Sequence, residues 1–332
     1  MEKYLVIGLG SMGKRRIRCL LALGKKKENI IGCDLREDRR KETEASYGVK
    51  TIDDVKALDF TGIKAVIVSL PPDKHNIGAK MAIDRELPVF IEASVVIDDV
   101  RKIRDYNAGK VFVAPSYTMS FHPMIKVIRD IVESSRYGKV TNFTYHSGQY
   151  LPDWHPWEKV TDFYVGNRLT GGAREIVPFE LTWITQLLGV PKEIKGYFRK
   201  TMDVGANIED SYVCSMLFEN CIGSMIVDVS SRFAVRSLIL NMEYGQIQWR
   251  WEEKAVHVYD ACNKNWIHIE QPETISQIGY NENINENMYI EEISTFIAGI
   301  DDSSKYYNTL DKDIKVLELL NDIENSDGGY DR

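Results

Sequence analysis

Three things are scarce in this 332-residue sequence, and each scarcity closes a class of explanation. The five cysteines, Cys19, Cys33, Cys214, Cys221 and Cys262, contain no Cys-x-x-Cys pair and are odd in number. That pattern speaks against a disulfide framework and against a zinc site, so no metal is expected. Long apolar runs are missing too: none approaches the ~18 residues of a membrane span. Residues 1–10 enter a strand at once, without a charged leader and a long apolar segment behind it. A cytoplasmic location with no membrane partner is the expectation, and the sequon Asn142-Phe143-Thr144 then reads as coincidence. Basic surplus is the third absence. A formal net charge of −7 argues against nonspecific nucleic-acid binding, and Lys25-Lys26-Lys27 reads as a solvated turn after a helix. Internal repeats and low-complexity segments are also absent.

What remains is an ordinary globular composition, 44% apolar and 27% charged, in a chain long enough for two domains. Up to residue 115 short apolar runs alternate with amphipathic ones. Tyr4–Ile7, Ile30–Asp34, Ala65–Ser69, Val89–Glu92 and Val111–Ala114 are apolar throughout, as parallel strands covered on both faces must be. Strand–helix repetition of this kind predicts a doubly wound parallel sheet. After Pro115 the texture changes. Phe121–Val132 reads as one helix with Ile125, Ile128 and Val132 on a stripe. Period-2 segments follow at 139–149, 193–199, 211–218, 222–229, 238–242, 246–251 and 256–259, which predicts a large, mostly antiparallel sheet. Helices are expected near 288–300 and 310–323, with a frayed tail. The fold class is therefore α/β at the N-terminus and α+β beyond it, with the boundary drawn between residues 117 and 118.

Gly8, Gly10 and Gly13 form G-x-G-x-x-G between a predicted strand and a predicted helix, with Ser11 and Met12 inside the turn. The first glycine permits the tight turn and the second lets a pyrophosphate reach the backbone. The third lets helix and strand pack closely, and the helix N-terminus adds a positive dipole. An acidic residue ~20 positions on should accept bonds from the adenosine ribose. Asp34 ends IIGCD there, followed by Leu35 and Arg36. Its carboxylate repels a 2′-phosphate, so NAD is favoured, while Arg15, Arg36 and Arg39 keep NADP open. Residues 1–117 thus read as a Rossmann dinucleotide-binding domain and 118–332 as the substrate-binding domain.

Several blocks now resemble one family, the glucose–fructose oxidoreductase / inositol dehydrogenase / MocA-type enzymes. VIVSLPPDKH (66–75) is similar to their fourth strand with its Pro-Pro and His, and PVFIEAS to the next strand, which ends there in Glu-Lys-Pro. SYTMSFHP, YGKV, the glycines at 171–172, LLG at 187–189 and MYIEEISTFIAGI resemble later blocks, so the likeness runs along nearly the whole chain. The resemblance implies that Ser69, Leu70, Pro71, Pro72 and His75 line the nicotinamide side of the cofactor. Glu92 should face the nicotinamide ribose, with Ala93 beside it. The resemblance also breaks. Ala93 stands where the family keeps a lysine that helps handle the proton of the reacting hydroxyl. Counted from the paired glycines, the family's Asp-x-Gly-x-His-x-x-Asp positions fall on Ile176, Glu180 and Trp183.

Hydride transfer leaves one proton to be moved on the substrate oxygen, so the chain needs another group of suitable pKa. Glu180 is the first candidate, since a carboxylate in a dry pocket titrates nearer neutrality. The second is His155, in GQYLPDWHPWEKVTDFY (148–164), a segment rich in aromatic and polar groups that predicts a loop at a substrate mouth. There Trp154 could stack on a sugar or base. Arg174 and Glu175 follow the glycines; the guanidinium could clamp a carboxylate or phosphate, or the two could simply pair. Tyr117, at the domain hinge, is a candidate to reach the substrate pocket, whereas His122 reads as a helix-start residue. The expected function is an NAD-dependent oxidoreductase acting on a sugar, polyol or sugar nucleotide. A sensor or partner protein that binds NAD without turnover, and an NAD-using hydrolase or lyase, are the alternatives. A homo-oligomer, dimer or tetramer, is expected from the broad sheet.

Overall fold

The computed structural model describes residues 2–154, 158–273 and 285–328. The chain divides into two compact units, the first made of Met1–Thr118 with Glu286–Ile314 and the second of Met119–Asn285 with Lys315–Arg332.

The first unit is built on a six-stranded sheet: β1 (Lys3–Ile7), β2 (Ile30–Cys33), β3 (Lys50–Ile52), β4 (Ile63–Val68), β5 (Val89–Ile91) and β6 (Val113–Pro115). Every pairing is parallel and the order is β3-β2-β1-β4-β5-β6. Tyr4, Leu5 and Val6 in β1 and Ala65, Val66, Ile67 and Val68 in β4 are fully buried, which explains why these strands read as unbroken apolar runs. The chain winds one way from β1 to β3, then crosses back to β4. The carboxyl ends of β1 and β4 therefore flank the point where strand order reverses, the usual place for a ligand in such sheets. Helices α1 (Ser11–Ala22), α2 (Glu37–Tyr47), α3 (His75–Ile83) and α4 (Ile97–Asn107) are the crossovers. The short edge strand β3 escapes the sequence reading because its three residues, KTI, start with an exposed lysine and show no apolar run.

A single boundary at 117/118 misses one excursion. Helix α7 (Glu286–Asp301) belongs to the first unit, where Phe296 lies 5.6 Å from the ring of Phe90 and 5.9 Å from that of Phe112. Burying that aromatic stripe requires the chain to return, and sequence separation hides the return.

The second unit carries β7 (Val140–Gly148), β8 (Glu193–Arg199), β9 (Ser211–Leu217), β10 (Ile222–Asp228), β11 (Val235–Met242), β12 (Gly245–Arg250), β13 (Ala255–Asp260) and β14 (Asn265–Glu270). Their order is β14-β13-β12-β11-β7-β10-β9-β8, antiparallel except for β10 beside β7. Strict alternation of burial, as in β9, leaves one face packed and one open. Tyr145, Met225, Leu238 and Trp249 line the packed face, with Val177, Leu181 and Ile184 of α6 (Ala173–Leu188) in the same core. Helices α5 (Pro123–Glu133) and α8 (Leu310–Ser326) complete the helical inventory of the described residues. No helix among those residues is long and apolar enough to cross a membrane.

Candidate active site

Two of the three glycines in the turn reject a side chain, and the third leaves its side of the turn open. Gly8 has φ +91° and an added Cβ would lie 2.4 Å from the Ser69 carbonyl oxygen. A Cβ on Gly13 would come within 1.7 Å of the Gly8 carbonyl oxygen. Both sites are closed by backbone. Gly10 is different: the nearest atom to its added Cβ is the Arg39 guanidinium at 3.6 Å, so that side of the turn is open. Gly10 also occupies the N-cap of α1, and neither a side-chain cap nor an acidic residue stands in the first turn, which starts with Ser11 and Met12. An open cradle at a positive helix end fits a pyrophosphate.

Asp34 is tied to this turn. Its Oδ2 accepts the Leu9 N–H at 2.8 Å and its Oδ1 accepts the Arg36 N–H at 2.9 Å. Arg39 stands 3.6 Å from Oδ2, Arg36 pairs with Asp38, and Leu35 is 86% exposed. Arg15 does not belong to this group. It is buried and bonds Glu286 through Nε at 2.9 Å, so it is removed from the residues that could meet a 2′-phosphate.

At the end of β5, Glu92 takes a two-pronged bond from Arg16, both contacts 2.7 Å, and a third from the Ser69 hydroxyl at 3.1 Å. Arg16 is fully buried and its Nη1 lies 2.8 Å from Glu292. Burial works against the Arg16 charge, but the two carboxylates outweigh it and raise its pKa. Sequence reading missed Arg16. The available signal was a cation between Gly13, Cys19 and Leu20 on the stripe that α1 buries. His75 is buried, with Nε2 2.8 Å from the Leu70 carbonyl, and burial pushes its pKa down. A neutral imidazole donating to Leu70 pins the turn that also contains Pro71 and Pro72, which is a positioning role. Ala93 is half-buried, and Ser94 beside it turns inward to accept the Val96 N–H. Tyr117 is not open to a substrate here: it is 6% exposed and packs edge-on against Tyr306. Its own N–H is bonded to Glu292.

In the second unit the structure places the two acids of α6 in different surroundings. Glu180 is completely buried and all four of its close partners are protein donors. Its Oε2 accepts from the Tyr145 hydroxyl at 2.7 Å and Trp183 Nε1 at 2.9 Å; its Oε1 accepts from Ser147 at 3.0 Å and Arg236 Nε at 2.9 Å. A carboxylate saturated in this way anchors α6 to β7 and β11 and has no access to a substrate proton. Arg174 bonds Glu324 at 2.9 Å and the Leu169 carbonyl at 2.7 Å. His155 lies outside the described residues. Trp154, at the edge of that segment, is half-buried against the core and its Nε1 has no bonding partner. His122 caps α5 by accepting the Met124 N–H, as a helix-start residue should.

Glu175 sits in the first turn of α6, just after glycines that no larger residue could replace. A Cβ on Gly171 would lie 2.0 Å from the Val165 carbonyl, and Gly172 has φ +65°. That close approach brings the 164–166 turn over the helix start, where the Tyr164 hydroxyl donates to Glu175 Oε1 at 2.6 Å. Its Oε2 is shielded from water with no hydrogen-bond partner. Burial pushes the carboxyl up to about 7, against the opposing pull of the Tyr164 bond.

Residues 2–105 match the model of the oxidoreductase family with an NAD-binding Rossmann fold, GFO/IDH/MocA. By sequence, no curated protein matches the chain. Among solved structures it is similar to an oxidoreductase from Agrobacterium radiobacter in complex with NAD+, L-tartaric acid and magnesium. That likeness has a TM-score of 0.84 at 12% identity, over 99% of this chain and 96% of the other. Levoglucosan dehydrogenase in complex with NADH and levoglucosan gives 0.82 at 14% identity, over 98% and 97%. GenD2 from gentamicin A biosynthesis in complex with NAD gives 0.76 at 17% identity, over 99% and 95%. At such identities the likeness establishes the shared two-part fold.

Proposed function

We infer, from the match of residues 2–105 to the NAD-binding Rossmann model of the GFO/IDH/MocA oxidoreductases, that this chain is an NAD-dependent dehydrogenase or reductase. The reaction we propose is oxidation of a carbohydrate hydroxyl, or reduction of the matching carbonyl. The carrying observation is the turn itself: Gly8 and Gly13 closed by backbone, Gly10 open, and Asp34 held against it by the Leu9 N–H. NAD supplies the hydride chemistry. Asp34 would hold the adenosine ribose, while Ser69, Leu70, Pro71, Pro72 and His75 would shape the nicotinamide side and Glu92 would orient its ribose. The substrate class draws support from the aromatic, polar segment that contains Trp154, and from the levoglucosan found with one protein of this fold.

Glu175 takes the proton role in this reading. In the oxidation direction it must be ionised to accept the hydroxyl proton, and below about 7 it holds its own. Turnover of NAD+ with an accepted sugar should therefore rise with pH through about 7 and then level. Glu175→Gln should flatten that limb and lower turnover by ~10²–10⁴-fold with NAD binding retained. The assay is NADH absorbance over a panel of sugars, polyols and sugar nucleotides. Normal turnover and an unchanged pH profile in the Gln variant would exclude Glu175. We also propose a homo-oligomer, formed through the open face of the large sheet.

A further inference from the structure

We propose that the second unit carries an anion-binding sugar subsite centred on Arg232, and that the ligand is a carbohydrate bearing a carboxylate or phosphate. The inference deepens the reading above and rests on it for the carbohydrate class. Three neighbouring strands converge at one end of the sheet. Gln149 and Tyr150 follow β7, Arg232 and Phe233 precede β11, and Glu252 follows β12. With Asp153 they line a pocket of about 370 Å³, a size suited to a small ligand.

Each wall offers a different chemistry. The Arg232 guanidinium carbon lies over the Tyr150 ring, 3.7 Å from its centroid, a cation–π contact that holds the group at the pocket wall. Asp153 and Glu252 line the same pocket, yet no ion pair ties either to Arg232 among the described residues. A guanidinium fork held over an aromatic ring, with no ion pair among the described residues, is suited to a two-pronged oxyanion. Phe233 is 70% exposed, an unusual state for a phenyl ring, and offers an apolar face to the C–H side of a sugar. The two carboxylates can accept hydroxyl bonds. A neutral sugar would leave the guanidinium unanswered, and a simple anion would leave the carboxylates and the ring unused. The clamp expected of Arg174 is thus met by a residue that the sequence reading did not single out.

The test is calorimetric titration of the NAD+-loaded protein with D-glucuronate, D-glucose 6-phosphate and D-glucose. One anion should bind at least about tenfold tighter than glucose, and which one does so separates a carboxylate from a phosphate preference. Arg232→Ala should erase the difference, and Arg232→Lys should keep only part of it because the charge survives and the fork is lost. An unchanged circular dichroism spectrum and thermal unfolding midpoint show that each variant is folded. Glucose binding as tightly as both anions, failure of both anions to bind, or a preference that survives Arg232→Ala would overturn the proposal. An intact binding difference without any NADH formation would uphold the subsite and count against the dehydrogenase reading instead.

Discussion

Four carboxylates in this chain have four different fates, and the environment of each decides which. Asp34 keeps two backbone donors at the rim of the glycine turn, Glu92 is gripped by Arg16, Glu180 is saturated inside a core, and Glu175 keeps one oxygen dry and unpaired. Burial pushes the last of these up to about 7. At Asp34 the expected consequence is in cofactor affinity. In the proposed role, Asp34→Ala removes the ribose acceptor together with the tie to Leu9. Hydrogen bonds to a charged group contribute about 1.5–3 kcal/mol, so NAD binding should weaken by roughly tenfold or more. The preference over NADP should narrow, because Arg36 and Arg39 remain. Calorimetric titration with both cofactors measures this, and an unchanged NAD affinity would take Asp34 out of the site.

Among the elements, α1 does two jobs. Its N-terminus presents the open cradle at Gly10, and its buried stripe carries Arg16 into a cluster with Glu92 and Glu292. Glu292 in turn accepts from Ser116, the Tyr117 N–H and Thr118, so one guanidinium organises β5, α7 and the segment after β6. Burial raises the Glu292 carboxyl even beside Arg16, which shows how much this cluster depends on the cation. Arg16→Met should destabilise the protein by about 3–5 kcal/mol, since it strands buried carboxylates. Denaturant unfolding measures the loss, and adding Glu292→Gln should recover part of it. A loss below ~1 kcal/mol would mean the cluster is solvated and the pairing incidental.

For the molecule as a whole, the open face of the large sheet matters most. Along β9, β10, β7 and β11 it presents Val213, Ser215, Leu217, Ile222, Ser224, Ile226, Thr144 and Ile239, and the register sets Val213 beside Ile226 and Leu217 beside Ile222. Tyr197 on β8, 66% exposed, extends the row from Val213. A row of exposed apolar side chains of this kind, edged by the Glu193–Lys195 pair of β8, is uncommon on a protein that stays monomeric. A second copy meeting it face to face would bury the same surface on both sides. Sedimentation should therefore show a dimer or a multiple of one, and Ile226→Glu should shift it toward monomer with NAD binding retained. A wild-type monomer at micromolar concentration would refute the assignment.

By itself the sequence determined whatever depends on neighbours along the chain. Unbroken apolar runs gave away the parallel strands, period-2 segments the open sheet, and the spacing of Gly8, Gly10, Gly13 and Asp34 the cofactor turn. All of these follow from local sterics and from the periodicity with which a strand or helix buries its side chains. Tertiary structure decided what each charged side chain meets. Glu180 and Glu175 are five residues apart on one helix and read alike as acids. One faces Tyr145, Ser147, Trp183 and Arg236, while the other bonds a single phenol and keeps one oxygen shielded from water. Arg174 found Glu324, 150 positions away, while Arg232 came to share a pocket with Tyr150, Asp153 and Glu252. A charge takes its function from the dielectric and the partners around it, and those are supplied by chain segments that no local pattern connects.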